Sequence, residues 1–138
     1  MIKKLQFIFL FLAVTLISNA IYANNTAQYE MQFFNKTFND PINIVVVNKG
    51  NKIVETKLPN DNNASMTILI AFEGDSDTSK VTLSDNNKKI LWIGNVTYYV
   101  AKNEFYYETN YLAENYYMNS ETLGEKKHIT FTLKNLKQ

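Results

Sequence analysis

The sequence predicts an all-β fold, an antiparallel β-sandwich of about eight or nine short strands, and three observations carry that expectation. Apolar and polar residues alternate at period two through most of the chain after residue 26. Turn-forming Asn, Asp, Gly and Pro recur at roughly ten-residue intervals between those runs. No long stretch carries the 3.6-residue period of an amphipathic helix.

The chain begins with a segment of a different kind. Lys3 and Lys4 precede an apolar run from Leu5 to Ile17, broken only by Gln6 and Thr15, and Ser18, Asn19 and Ala20 follow. A positive start, an apolar centre and a small-residue end form a secretory signal peptide. Its apolar run of 13 residues is shorter than the roughly 20 a spanning helix requires. Cleavage after Ala20 places small residues at both recognition positions, and cleavage after Ala23 leaves a polar start at Asn24. The second is preferred, so residues 1–23 are read as a cleavable leader and 24–138 as one domain. The expected form is a soluble bacterial protein, periplasmic or secreted. With no cysteine in the chain, neither a lipid anchor nor a disulfide is expected.

The strands follow in order. Ala27, Tyr29, Met31 and Phe33 alternate with Gln28, Glu30 and Gln32 as a half-buried strand. Asn39-Asp40-Pro41 interrupts, and Ile42 to Val47 is β-branched and nearly continuous, as in a central strand. Asn48-Lys49-Gly50-Asn51 supplies residues that tolerate positive φ, so a tight hairpin returns into Lys52 to Leu58. Pro59 to Asn63 reads as a polar loop. Met66 to Phe72 is the next apolar strand, closed by a loop from Glu73 to Asp77. Val81 and Leu83 mark a short strand, and Asp85-Asn86-Asn87 turns into Ile90 to Ile93. Gly94-Asn95 signals a turn into Val96 to Ala101, or a bulge within one long strand. The segment from Glu104 to Asn119 admits two readings: its tyrosines favour strands, and Leu112-Ala113-Glu114 favours a short helix near residues 108–118. Ile129, Phe131 and Leu133 alternate with His128, Thr130, Thr132 and Lys134 in a final strand. The early Asn-rich turn, the Pro41-Ile42 strand start and the Leu58-Pro59 loop make the pattern similar to immunoglobulin-like sandwiches in general architecture, which implies no function.

Composition narrows the chemistry. Removing residues 1–23 leaves 115, with 12 Lys against 13 acids and no Arg. That size supports one core without staples, and the balanced charge and missing Arg argue against nucleic acid as a partner. A thiol nucleophile is absent, and a triad has only His128 to draw on. Flanked by Lys127, that histidine reads as a solvated strand residue. Glu73, Asp75 and Asp77 form the one dense acidic cluster and a weak calcium candidate, although the EF-hand spacing is not met. No cofactor is expected.

The aromatic distribution is the most uneven feature. Seven tyrosines lie between residues 98 and 117, with adjacent pairs at Tyr98-Tyr99, Tyr106-Tyr107 and Tyr116-Tyr117. Adjacent residues of a strand point to opposite faces, so one tyrosine of each pair packs inward and its partner faces solvent. Trp92, Tyr99, Tyr107, Tyr111 and Tyr117 are the candidate ligand-binding residues. Tyrosine joins a large apolar area to a polar tip, which suits protein surfaces and sugar rings; the other reading is cross-strand aromatic packing that only stabilises the sheet. The expectation is an interaction protein for a protein or glycan, not an enzyme. Two alternatives are a small carboxylate-dependent hydrolase, and a membrane-active or self-assembling effector built on the Ile42–Val47 and Met66–Phe72 runs.

Overall fold

Period-two patterning resolves into nine strands in the computed structural model, which describes residues 26–37, 41–61, 64–123 and 127–136. The leader expected over residues 1–23 and its cleavage point lie outside the described residues. The strands are β1 (Thr26–Lys36), β2 (Ile42–Asn48), β3 (Asn51–Leu58), β4 (Ser65–Glu73), β5 (Ser76–Ser84), β6 (Ile90–Tyr99), β7 (Glu104–Leu112), β8 (Tyr116–Leu123) and β9 (His128–Asn135). No helix occurs among the described residues. The strands form two sheets, ordered β4-β1-β9-β8 and β3-β2-β5-β6-β7. All pairings are antiparallel except β1 with β9, which joins the first and last strands at the centre of the smaller sheet.

This is the expected sandwich. Its likeness to immunoglobulin domains is one of layers rather than strand order: there the first two strands pair with each other. Here β1 pairs with β4 and β9, while β2 pairs with β3 and β5.

The local chemistry of the turns explains the strand boundaries. Lys49 and Gly50 both take positive φ, at 51° and 79°, which gives the β2–β3 hairpin the two-residue turn that matches strand twist. Asp85 caps the β5–β6 turn, its carboxylate accepting 2.9 Å bonds from the amides of Asn87 and Lys89. The loop expected from Glu73 to Asp77 is shorter than its sequence suggests. Only Gly74, at φ 105°, and Asp75 separate β4 from β5, and Asp77 already lies in β5.

The short helix considered near residues 108–118 is replaced by the end of β7, a turn at Ala113–Asn115 and the start of β8. The Ala113 amide donates to the Leu91 carbonyl at 2.9 Å, and Asn115, at φ 69°, accepts from the Leu136 amide at 2.7 Å. Neighbouring strands on both sides satisfy this backbone, whereas a helix of two or three turns has little stability of its own.

Of the two readings at Gly94, the long strand holds. β6 runs unbroken from Ile90 to Tyr99, and the irregularity lies opposite: Ile93 pairs with Tyr111 and Gly94 with Thr109, leaving Asn110 as the extra residue in β7. Gly94 is required by its neighbour two residues back. A Cβ there would sit 2.2 Å from the Trp92 ring, so the indole lies directly over the glycine. A second bulge leaves Leu91 unpaired between Leu83–Trp92 and Ser84–Ile90, and both Leu91 and Trp92 turn into the core.

The core is the inner layer of both sheets. Phe33 stacks on Phe131 within the smaller sheet, and Phe131 meets Trp92 of β6 across the layers at 5.4 Å. Tyr29 packs against Tyr98 of β6 and Phe105 of β7, while Asn35, further along β1, donates to the Leu58 carbonyl of β3 at 3.4 Å. β1 therefore crosses the larger sheet obliquely, from its β6–β7 side to its β3 side.

Candidate functional site

The rule that adjacent tyrosines point apart holds at all three pairs, and it sorts them differently from the sequence expectation. Tyr98 is buried and donates to Asn103 at 2.7 Å, while Tyr99 is exposed. Burial pushes the Tyr98 hydroxyl up from its ordinary range. At the second pair the outward residue is Tyr106, 72% exposed; Tyr107 lies on the inner face with its ring edge-on to Phe131 at 5.7 Å. Tyr116 packs against the core and Tyr117 faces solvent.

The five candidates do not share one surface. Trp92 is fully buried, and its indole N–H donates to the Thr109 hydroxyl at 3.0 Å. Tyr107 stands at the inner margin of β7. Tyr117 belongs to β8 and so faces out from the opposite sheet. Tyr99 and Tyr111 remain, and both lie on the outer face of β6–β7. There Tyr99 faces Glu104, Thr97 faces Tyr106, Asn95 faces Glu108, and Ile93 faces Tyr111.

The bulge at Asn110 makes Tyr111 part of this face. Strict alternation from Tyr107 through Thr109 would turn Tyr111 inward, and one extra residue reverses it. Asn95 donates to the Asn110 side chain at 3.1 Å, fixing the bulge from the same side. The outer surface of β6–β7 thus carries Tyr99, Tyr106, Tyr111 and Ile93 over about 20 Å of strand, with Glu104 and Glu108 between them. Tyr106, absent from the sequence candidates, is the most exposed of its tyrosines.

The acidic cluster separates as well. Glu73 and Asp75 are exposed, whereas Asp77 is buried. Its carboxylate accepts from the Tyr29 hydroxyl at 2.8 Å and the Asn48 amide at 2.7 Å, and Ser79 joins both partners at 2.9 Å. No group of three His, Asp or Glu side chains converges on a common point among the described residues. Burial drives the Tyr29 hydroxyl far above its ordinary range, and the nearby Asp77 carboxylate adds to the effect. This buried network joins β1, β2 and β5, and only the fold discloses it.

His128 is not a solvated strand residue. It is half-buried on the outer face of the smaller sheet, its Nδ1 donating to the Glu30 carboxylate at 2.9 Å and its Nε2 2.9 Å from the Gln32 Oε1. Gln32 in turn donates to the Ser65 hydroxyl at 2.9 Å. The parallel pairing sets Glu30 beside His128, and no periodicity in the sequence could indicate that contact.

No family model and no curated protein matches the sequence. Among solved structures the chain is similar to the crystal structure of Abundant Perithecial Protein (APP) from Neurospora crassa, at 15% identity and a TM-score of 0.48. The likeness covers 81% of this chain and 55% of that one, so the chain spans little more than half the length of its structural neighbour.

Proposed function

We propose that this chain is an exported binding protein, working in the periplasm or outside the cell, that recognises a protein or glycan through the outer face of β6–β7. The observation that carries this reading is the grouping of Tyr99, Tyr106 and Tyr111 with Ile93 on one exposed face. Exposed aromatics on a rigid sheet offer contact area at little cost in rotamer entropy, and tyrosine is enriched where interfaces concentrate their energy. The role is binding rather than catalysis, consistent with a face made of tyrosines and single carboxylates.

The test replaces Tyr99, Tyr106 and Tyr111 by Ala together and measures binding to arrayed envelope proteins, host-surface proteins and glycans. Capture by the native protein and its loss in a normally folded variant is the expected result. Unchanged binding by that variant would sink the proposal. Fractionation with N-terminal sequencing tests the export component: the expected product begins at Asn24, or at Ile21 if the earlier site is used, and full-length protein in the cytoplasm would contradict it.

A further inference from the structure

We infer that the open edge of β7 takes up an extended, lysine-bearing segment of a partner protein as a sixth strand of the larger sheet. This rests on the binding-protein reading above and narrows it, from a tyrosine face to a strand edge with a defined charge pattern.

Among the described residues β7 ends its sheet and is paired only through β6. No other backbone hydrogen bond reaches residues 104–112 among the described residues. An unpaired edge is a template for a further strand, and soluble proteins usually blunt such edges with lysine, proline or bulges. The opposite edge of the same sheet follows that practice. β3 carries Lys52 and Lys57, and Lys52 is paired with Glu55 of its own strand at 2.8 Å.

β7 is different. Its bulge at Asn110 leaves Glu104 to Thr109 in regular register with β6. Six residues match the usual length of a strand, about 20 Å. Along that stretch the outer face reads Glu104, Tyr106, Glu108, and the inner face Phe105 and Tyr107. Across β6 the two glutamates face Tyr99 and Asn95, which neutralise neither, and neither glutamate has an ion pair among the described residues.

An incoming strand therefore meets two carboxylates four residues apart on one face, with a tyrosine between them. Lysines at matching positions would meet both glutamates and lay their stems along the Tyr106 ring, where the ammonium also gains from the aromatic face. Apolar residues at the alternate positions would meet Tyr107. The same charges disfavour a second copy of this strand. Antiparallel pairing about the middle of β7 opposes Glu108 to Glu108, and like charges directly opposite destabilise a sheet. Main-chain bonds supply the affinity in such strand addition, and alternate side chains supply the choice of partner.

The probe is a capped six-residue peptide alternating valine with lysine, threonine and lysine, titrated into the 15N-labelled exported protein. Shift changes and new amide-exchange protection are expected between Glu104 and Thr109, with affinity falling as salt rises. Joint replacement Glu104→Gln and Glu108→Gln should weaken binding about three- to tenfold, and Glu104→Lys with Glu108→Lys should transfer preference to the glutamate version of the peptide. Protection elsewhere, no binding at millimolar peptide, or equal binding by the glutamine variant would overturn the inference. So would protection of β7 that rises with protein concentration alone, which would make a second copy the occupant. If the tyrosine variant loses captured partners while the glutamine variant keeps them, the binding-protein reading stands and the strand-edge inference falls.

Discussion

β1 and β7 draw on much the same residues and meet opposite fates. Each carries three aromatic residues or more, each mixes them with polar side chains, and each is among the longer strands of the chain. In β1, between β4 and β9, Tyr29, Met31 and Phe33 are buried completely or nearly so. In β7, at the end of its sheet, every residue but Phe105 is exposed. Both sides of β1 are hydrogen-bonded, and the larger sheet covers its inner face. Among the described residues β7 has one partner strand, and at its margin the smaller sheet offers Phe131 but no full layer beneath it. Position in the sheet, not aromatic content, decides whether tyrosine and phenylalanine become core or surface.

The sharpest way to break this comparison is to remove an aromatic from each strand. Phe33→Ala should cost about 3–5 kcal/mol, because Phe33 is buried and stacked on Phe131. Chemical denaturation measures it, and a loss under 1 kcal/mol would show that β1 is not the centre of the core.

A smaller effect is expected within β1. Tyr29→Phe keeps the ring and removes the hydroxyl that serves Asp77 and Ser79, at a cost of about 1–3 kcal/mol. It also reduces the pH dependence of stability in alkali. The folded-state pKa of Tyr29 is raised above its unfolded value of about 10. Its contribution is therefore fully present below pH 10, and it is lost as pH rises further, because the unfolded chain ionises first. Native stability should decline by up to about 1.4 kcal/mol per pH unit from this residue above pH 10, and Tyr29→Phe should remove that part of the slope. Parallel alkaline denaturation curves for the two proteins would contradict the assignment.

The smallest effect belongs to the edge. Tyr106→Ala should change stability by no more than about 0.5 kcal/mol, since its ring faces solvent. A cost near that of Phe33→Ala would mean that the outer tyrosines stabilise the sheet and are not held in reserve for a partner.

Much of the fold was legible. The alternation in residues 27–33 and 128–134 names the inward side chains of β1 and β9 correctly, because a half-buried strand admits one face to the core. Lys49-Gly50 and Asp85-Asn86-Asn87 gave the turns, since their chemistry is local. The site was legible only in its material. A concentration of tyrosines between residues 98 and 117 is visible in the chain, but not which of them share a surface.

The limits are physical. Sequence by itself determined an all-β fold, the inward face of its regular strands, its tight turns and the opposed directions within each tyrosine pair, because these follow from backbone geometry over two to four residues. Tertiary structure alone decided the rest. The bulge at Asn110 reversed Tyr111, the placement of β8 in the other sheet carried Tyr117 away, and the parallel junction of β1 with β9 gave His128 its partners. Burial under both layers made Asp77 a hydrogen-bonded interior group, apart from the exposed Glu73 and Asp75. Each of these depends on which strands become neighbours, a choice made by the packing of residues far apart in the chain.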